Sequence, residues 1–273
     1  MVMKTQQLKV GKAVVRWGQA KTGEFSGTVI MAGKPSENLT DADEKRLLAR
    51  LRNLAGTLEP NYFGMEEAIA RYLRFMPGGF SAERNLTTER KYKVGARDAL
   101  AEILPLGQAF EASSDDARRV REAGAIWINL LSPFESMHLK EAIASNDGPA
   151  FLRAAAKFTA GDFSGGVAGM NAAMSKHGRL SWPTATYFPF LWSPVDHMFL
   201  KPTVTRDFAE RIGHRYQYDY SPDIEKDVYE SLLELADLTM TNLTDLSPKD
   251  RIDVQSFIYV VGGYSDIDLP NGN

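Results

Sequence analysis

Four side chains that could perform acid–base chemistry lie close together in the sequence, at the end of the proline- and aromatic-rich segment 181–202. Asp196, His197 and Lys201 fall within six residues, and Arg206 follows shortly after. An aspartate can orient an imidazole for general-base catalysis, and a nearby cation can stabilise negative charge that develops in a transition state. These four residues are therefore the candidate catalytic groups of a small-ligand enzyme or binder, with a pocket around residues 181–206.

The same residues also have a structural interpretation. Asp196 ends the phrase Ser193-Pro194-Val195-Asp196, which is typical of a capped turn. Adjacent residues of a strand point to opposite faces, so Asp196 and His197 would diverge if a short strand follows at 198–200. The sequence leaves both interpretations open, and with them the question of whether the protein is an enzyme.

The backbone around these residues is predicted to be extended. Prolines at positions 183, 189, 194 and 202 each fix φ and remove a hydrogen-bond donor, which disfavours a helix. We therefore expect a short strand-rich segment at about 184–200, packed against helices. Alternation along such strands favours a core position for Phe188 and Phe190, and the sequence does not decide between core and ligand contact for Trp192.

Several kinds of site are excluded by residue counts and spacing. The chain has no cysteine, which rules out disulfides and thiol catalysis. Its four histidines (138, 177, 197 and 214) include no pair at helical i, i+4 spacing, so no histidine metal site is predicted, and no cofactor is identified. The glycine-rich stretch Gly161–Gly169 lacks the Lys-Ser/Thr of a phosphate-binding loop, so close packing of helices is the favoured use of its small residues.

Charge is distributed unevenly along the chain. Residues 1–100 carry 17 Lys and Arg against 11 Asp and Glu, whereas residues 101–273 carry 15 against 24. The basic part could contact the phosphates of DNA or RNA, and the acidic C-terminal region could bind a protein partner. An ordinary solvated surface explains the same counts. The candidate phosphate contacts of the nucleic-acid hypothesis are Lys9, Lys12, Arg16, Lys21 and Arg90.

Four phrases carry a resemblance to known sequences. They are FMPGGF at 75–80, ERKYK at 89–93, FLKP at 199–202 and DVQSFI at 253–258. They resemble blocks of an uncharacterised bacterial protein family, some members of which are associated with restriction or phage-defence systems. The resemblance implies a nucleic-acid setting and no catalytic residue. The first hypothesis is accordingly a nucleic-acid-associated accessory or effector protein; the alternatives are the small-ligand enzyme or binder and a protein-interaction subunit.

The elements that must position these residues are mostly helical. Strands are predicted at Ala13–Trp17 and Phe25–Met31, joined as a β-hairpin, and helices are predicted at Thr40–Gly56, at Glu89–Leu104, from Ser132 and from Ser247. The fold class is thus α+β and predominantly helical. One compact domain over residues 1–273 is expected, with a possible weak subdivision near 145–148. No apolar run is long enough for a signal peptide or a membrane span, so a cytoplasmic protein is expected.

Overall fold

The computed structural model of this protein describes residues 5–270. The chain is α+β and mainly helical, as the sequence predicts. It divides into two compact units: the first unit comprises residues 5–71 and 206–220, and the second comprises residues 72–205 and 221–270. Residues 145–148 lie inside the second unit, where 145–147 form a turn between two helices and Gly148 begins the second of them. The expected single domain over the whole chain stays a prediction.

The predicted hairpin is present and belongs to a larger antiparallel sheet in the first unit. Its strands are β1 (Gln6–Val10), β2 (Ala13–Gln19), β3 (Phe25–Met31), β4 (Lys34–Pro35) and β5 (Leu39–Asp41). The strand order is β1-β2-β3-β4. Strands β4 and β5 pair with the same edge of β3, β4 with its C-terminal end and β5 with its N-terminal end. Val15 pairs with Val29, which confirms the hairpin and sets which residues share a face.

One face of this sheet packs on helix α1 (Glu44–Gly56). The shared core contains Val15, Trp17 and Val29 from the strands and Leu47 and Leu51 from the helix. The helix was expected to begin at Thr40, but Thr40 belongs to β5. Asp43 caps the helix instead, since its carboxylate accepts the backbone N–H of Arg46. The remaining helix that lies wholly in the first unit is α12 (Tyr216–Asp219).

The second unit is built almost entirely of helices. Two helices cross the boundary between the units along the chain, α2 (Gly64–Phe75) and α11 (Pro202–Arg211). The others are α3 (Glu83–Asn85), α4 (Lys91–Ile103), α5 (Leu106–Ala109), α6 (Ser114–Glu122), α7 (Pro133–Ala144), α8 (Gly148–Thr159), α9 (Phe163–Met174), α10 (Trp182–Trp192), α13 (Lys226–Asn242) and α14 (Arg251–Gly263). None of the helices in the described chain is long and apolar enough to cross a membrane.

The strand-rich segment expected at 184–200 is wrong, because residues 182–192 form helix α10. Ser181 caps this helix by accepting the backbone N–H of Thr184, and Pro183 lies in the first turn, where no donor is needed. Pro189 lies inside the helix and leaves one carbonyl without its helical partner. Burial on every side compensates, since all residues from Trp182 to Leu191 are buried. Phe188 and Phe190 are in the core, as expected.

Two predicted helix starts have different outcomes. Ser132 forms the expected capping box with Glu135 at the start of α7. Ser247 does not cap α14; the helix begins four residues later, with Asp250 as its cap. The glycine-rich stretch serves close packing, as favoured from the sequence. A Cβ atom at Gly166 in α9 would lie 2.7 Å from the backbone nitrogen of Phe158 in α8.

Candidate functional site

A cluster of buried charges in the second unit forms where α4 meets the start of α14. The chain from Glu83 to Ile103 is helical throughout and contains a wider π-helical turn over residues 86–90. Such turns often occur at functional positions in helices. This turn and the first turn of α4 bury Glu89, Arg90 and Lys93.

Arg90 joins two carboxylates of α14. Its Nη1 donates to Oδ1 of Asp250 at 2.8 Å and to Oδ1 of Asp253 at 2.7 Å, and its Nη2 donates to Oδ2 of Asp250 at 2.9 Å. Asp250 also accepts the N–H of Ile252 as the helix cap. These bonds to carboxylates raise the pKa of Arg90, so its charge is permanent. The guanidinium therefore fixes the start of α14 against the π-helical turn that precedes α4.

Lys93 lies deeper in the same cluster and is completely buried. Its Nζ donates to Oε2 of Glu89 at 3.0 Å and to Oγ of Ser256 at 2.9 Å. Burial lowers the pKa of Lys93 to about 8, although Glu89 opposes the shift. The other oxygen of Glu89 accepts the hydroxyl of Tyr264 at 2.8 Å. Both oxygens of this carboxylate are thus engaged within the protein.

Next to this cluster is a polar cavity of about 270 Å³. Its wall is formed by the π-helical turn and the start of α4, by the segments before α7 and before α11, and by α14 with the residues that follow it. The lining residues are Thr88, Glu89, Tyr92, Asn129, Leu130, Lys201, Gln255, Tyr259, Tyr264 and Asp268. Three of the four sequence blocks named above contribute residues to this wall.

Two lining residues present unused polar groups. Gln255 is only 4% exposed, and its Oε1 has no hydrogen-bond partner. The Nζ atom of Lys201 lies 4.9 Å from the centroid of the Tyr259 ring. No carboxylate of the described residues forms an ion pair with Lys201. An acceptor and a cation in one cavity can bind a ligand that carries a donor and a negative charge.

A second concavity is less suited to a ligand. It has a volume of about 440 Å³ and lies along α7, with Pro133, Met137 and Lys140 in its wall. None of its lining residues is buried, so their polar groups are already solvated. We therefore place the candidate site in the smaller, polar cavity.

The four predicted catalytic residues are not brought together there. Of the four, Lys201 lines the cavity. The carboxylate of Asp196 accepts the hydroxyl of Ser193 at 2.7 Å in the turn after α10, and Arg206 belongs to the first unit, where its guanidinium lies 5.3 Å from the Tyr220 ring centroid. The four residues therefore do not line this cavity together.

His197 has a structural role in the second unit. Its Nε2 lies 2.9 Å from the carbonyl oxygen of Thr159, which fixes the proton on that nitrogen, and its Nδ1 accepts the hydroxyl of Tyr229 at 2.9 Å. Burial lowers the pKa of His197, which keeps the ring neutral. Both ring nitrogens are occupied, so the Asp196–His197 pair of the catalytic interpretation is not formed. Trp192 is also structural, because its indole N–H donates to the carbonyl of Leu104.

The candidate phosphate contacts separate into two groups. Lys9, Lys12, Arg16 and Lys21 are exposed in the first unit. Lys9 and Arg16 share the solvent face of the sheet, because their neighbours Leu8 and Val15 pair on the other face. Arg90 was predicted to contact phosphates with them, and that prediction is wrong. Its side chain is buried in the second unit and engaged by two carboxylates.

Sequence reasoning named Lys201 but missed the other residues of the cavity wall and of the buried cluster beside it. Glu89, Lys93, Asp253, Gln255 and Ser256 are polar residues on otherwise apolar helix faces, and that pattern was the available signal. Within residues 5–270, no group of three or more His, Asp or Glu side chains is placed to hold a metal ion. Comparison of the chain with protein-family models, with curated proteins and with solved structures finds no match.

Proposed function

We propose that this protein binds a small polar ligand in the cavity lined by Glu89, Lys201 and Gln255. The observation that carries the proposal is the unpartnered Oε1 of Gln255. A buried amide oxygen without a hydrogen bond costs about 1–3 kcal/mol, and buried polar groups are nearly always paired. A ligand donor in the cavity would satisfy it.

The buried charges support this proposal because they make the wall rigid. Arg90 and Lys93 connect the π-helical turn and α4 to α14, and Gln255 follows two residues after Asp253. A binding site is effective when its polar groups are held in place before the ligand arrives. The volume of about 270 Å³ lies just below the usual range of ligand pockets, roughly 300–1,000 Å³. The ligand is therefore of metabolite size.

The test is calorimetric titration with a panel of small polar metabolites: nucleotides, sugar phosphates, amino acids and dicarboxylates. Lys201→Met removes the cavity cation, and Lys140→Met is its matched control, because both lysines lie about 5 Å from an aromatic ring centroid. We expect one class to bind, with at least a tenfold loss of affinity for Lys201→Met and no change for Lys140→Met. Absence of binding across the panel, or equal effects of the two variants, contradicts the proposal.

A second candidate function is nucleic-acid binding by the first unit. Lys9, Lys12, Arg16 and Lys21 are exposed, and none of them forms an ion pair with a carboxylate of the described residues. The test is fluorescence polarisation with DNA and RNA at 50 and 200 mM salt, comparing the wild type with a variant in which all four cations are glutamine. Affinity that is unaffected by added salt or by the variant contradicts this candidate.

A further inference from the structure

We infer that the ligand of the polar cavity is a nucleotide, read through its base by Gln255 and through its phosphate by Lys201. This inference rests on the proposed function and adds the class of ligand. It follows from three features of the wall: the tyrosine rings, the amide groups and the distribution of charge.

The tyrosine rings suit a planar ligand. Tyr92, Tyr259 and Tyr264 all line the cavity. The rings of Tyr259 and Tyr264 are 5.9 Å apart between centroids and meet at 81°, so they form two walls nearly at right angles. A flat heterocycle stacked on one ring would place its edge against the other. Stacking on aromatic side chains is the common way in which proteins hold an unpaired base.

The amide of Gln255 suits the edge of a base. A carboxamide offers a donor and an acceptor side by side, which is the arrangement that Gln and Asn use to read adenine. The oxygen of Gln255 is buried without a hydrogen-bond partner, and an exocyclic amino group or a ring N–H that reaches it would supply the missing donor. Asn129 adds a second, more exposed amide to the same wall.

The charges of the wall favour an anionic group on the ligand. Both oxygens of Glu89 are engaged, by Lys93 and by Tyr264, and Oδ2 of the exposed Asp268 accepts the backbone N–H and the hydroxyl of Ser265. Lys201 is the lining cation, and its charge is not compensated by a carboxylate of the described residues. A phosphate group would provide that compensation. Such a phosphate belongs either to a free nucleotide or to a strand from which one base is turned out.

Calorimetric titration of the full chain with AMP, CMP, GMP and UMP tests the inference. Ribose 5-phosphate lacks the base, adenosine lacks the phosphate, and glutamine represents a polar ligand of another class. We expect at least one nucleotide to bind at least tenfold more tightly than ribose 5-phosphate and than its own nucleoside. A single-stranded tetranucleotide separates the two sources: tighter binding than the mononucleotide indicates a base within a strand, and equal or weaker binding indicates a free nucleotide.

Variants connect this binding to the cavity. Gln255→Leu should weaken nucleotide binding about tenfold, and Lys201→Met should remove the preference for nucleotide over nucleoside. Tyr259→Leu should weaken binding roughly 5- to 150-fold through loss of stacking, whereas Tyr259→Phe keeps the ring and should bind as the wild type does. The Tyr259 pair remains informative if Gln255→Leu does not fold.

The failure of this inference can be told apart from the failure of the proposed function. If ribose 5-phosphate binds as tightly as every nucleotide, or if the variants of Tyr259 and Lys201 bind nucleotide as the wild type does, the inference is overturned. If glutamine or another class binds in a Lys201-dependent manner and nucleotides do not, the inference is overturned and the proposed function stands. If no compound of any class binds, both are overturned.

Discussion

Removal of Arg90 is the strongest test of the buried network on which the site is built. Arg90→Met keeps most of the apolar stem and deletes the guanidinium that joins Asp250 and Asp253. The side chains of those two aspartates are 8% and 1% exposed, and Arg97 remains only at 3.8 Å from Asp250. Breaking a buried ion pair by removing one partner costs about 3–5 kcal/mol. We expect the free energy of unfolding of the second unit to fall by that amount.

The assay is urea unfolding followed by tryptophan fluorescence. In a Trp17→Phe background, the remaining tryptophans (127, 182 and 192) all report on the second unit. Arg118→Met is the matched control, because Arg118 also contacts two carboxylates, Asp115 and Glu122, but its side chain is 56% exposed. We expect the control to lose much less stability than Arg90→Met, because solvent screens exposed ion pairs.

A double-mutant cycle isolates the interaction itself. Asp253→Asn is combined with Arg90→Met, and groups that share one network should show a coupling energy of about 0.5–3 kcal/mol. The reasoning is refuted if Arg90→Met costs no more than Arg118→Met, or if the double variant is as unstable as the two single effects added together.

Three further predictions concern the second unit. Burial lowers the pKa of Lys93 to about 8, so the unfolded chain binds this proton more tightly than the folded one. The free energy of unfolding should therefore rise with pH between about 8 and about 10.4. The Lys93→Met variant should lack this rise. Because burial lowers the pKa of His197, wild-type stability should fall as pH drops below about 6.5, and His197→Gln should flatten this loss in urea titrations. Gly166→Ala should cost about 1–3 kcal/mol by overpacking against Phe158, whereas Gly95→Ala, which meets no atom within 4 Å, should be neutral or stabilising in thermal melts.

Helix α10 shows where local sequence rules are insufficient. Proline predicts an interruption because it removes a donor and fixes φ, and four prolines in residues 181–202 made a helix look excluded. Three of them occupy positions that a helix tolerates: one in the first turn of α10, one beyond its end and one at the start of α11. Pro189 lies inside α10, where it removes one helical hydrogen bond. The helix continues through it because the side chains around it are packed in the core. Tertiary packing therefore decided a segment that the local signal assigned to strands. The helix expected from Ser247 is present as α14, although Asp250 caps it in place of Ser247.

Charge counts predict composition but not pairing. The excess of cations in residues 1–100 placed Arg90 with Lys9 and Arg16 as a phosphate contact. In the structure, Arg90 is paired with aspartates 160 and 163 residues later in the chain, and no local feature of the sequence gives their partnership. Lys9 and Arg16, by contrast, lie on the solvent face of a sheet whose register follows from the alternation of its strands.

The buried ion pairs of Arg90 and Lys93 help to explain how the cavity wall is arranged. An apolar core of the same volume would often be equally stable or more stable than buried ion pairs, so stability alone does not account for Arg90 and Lys93. What the pairs provide is orientation. They hold in place Glu89 and the turn of α14 that carries Gln255, two parts of the cavity wall. Loss of the pairs should therefore weaken ligand binding even where an apolar replacement restores the stability of the second unit.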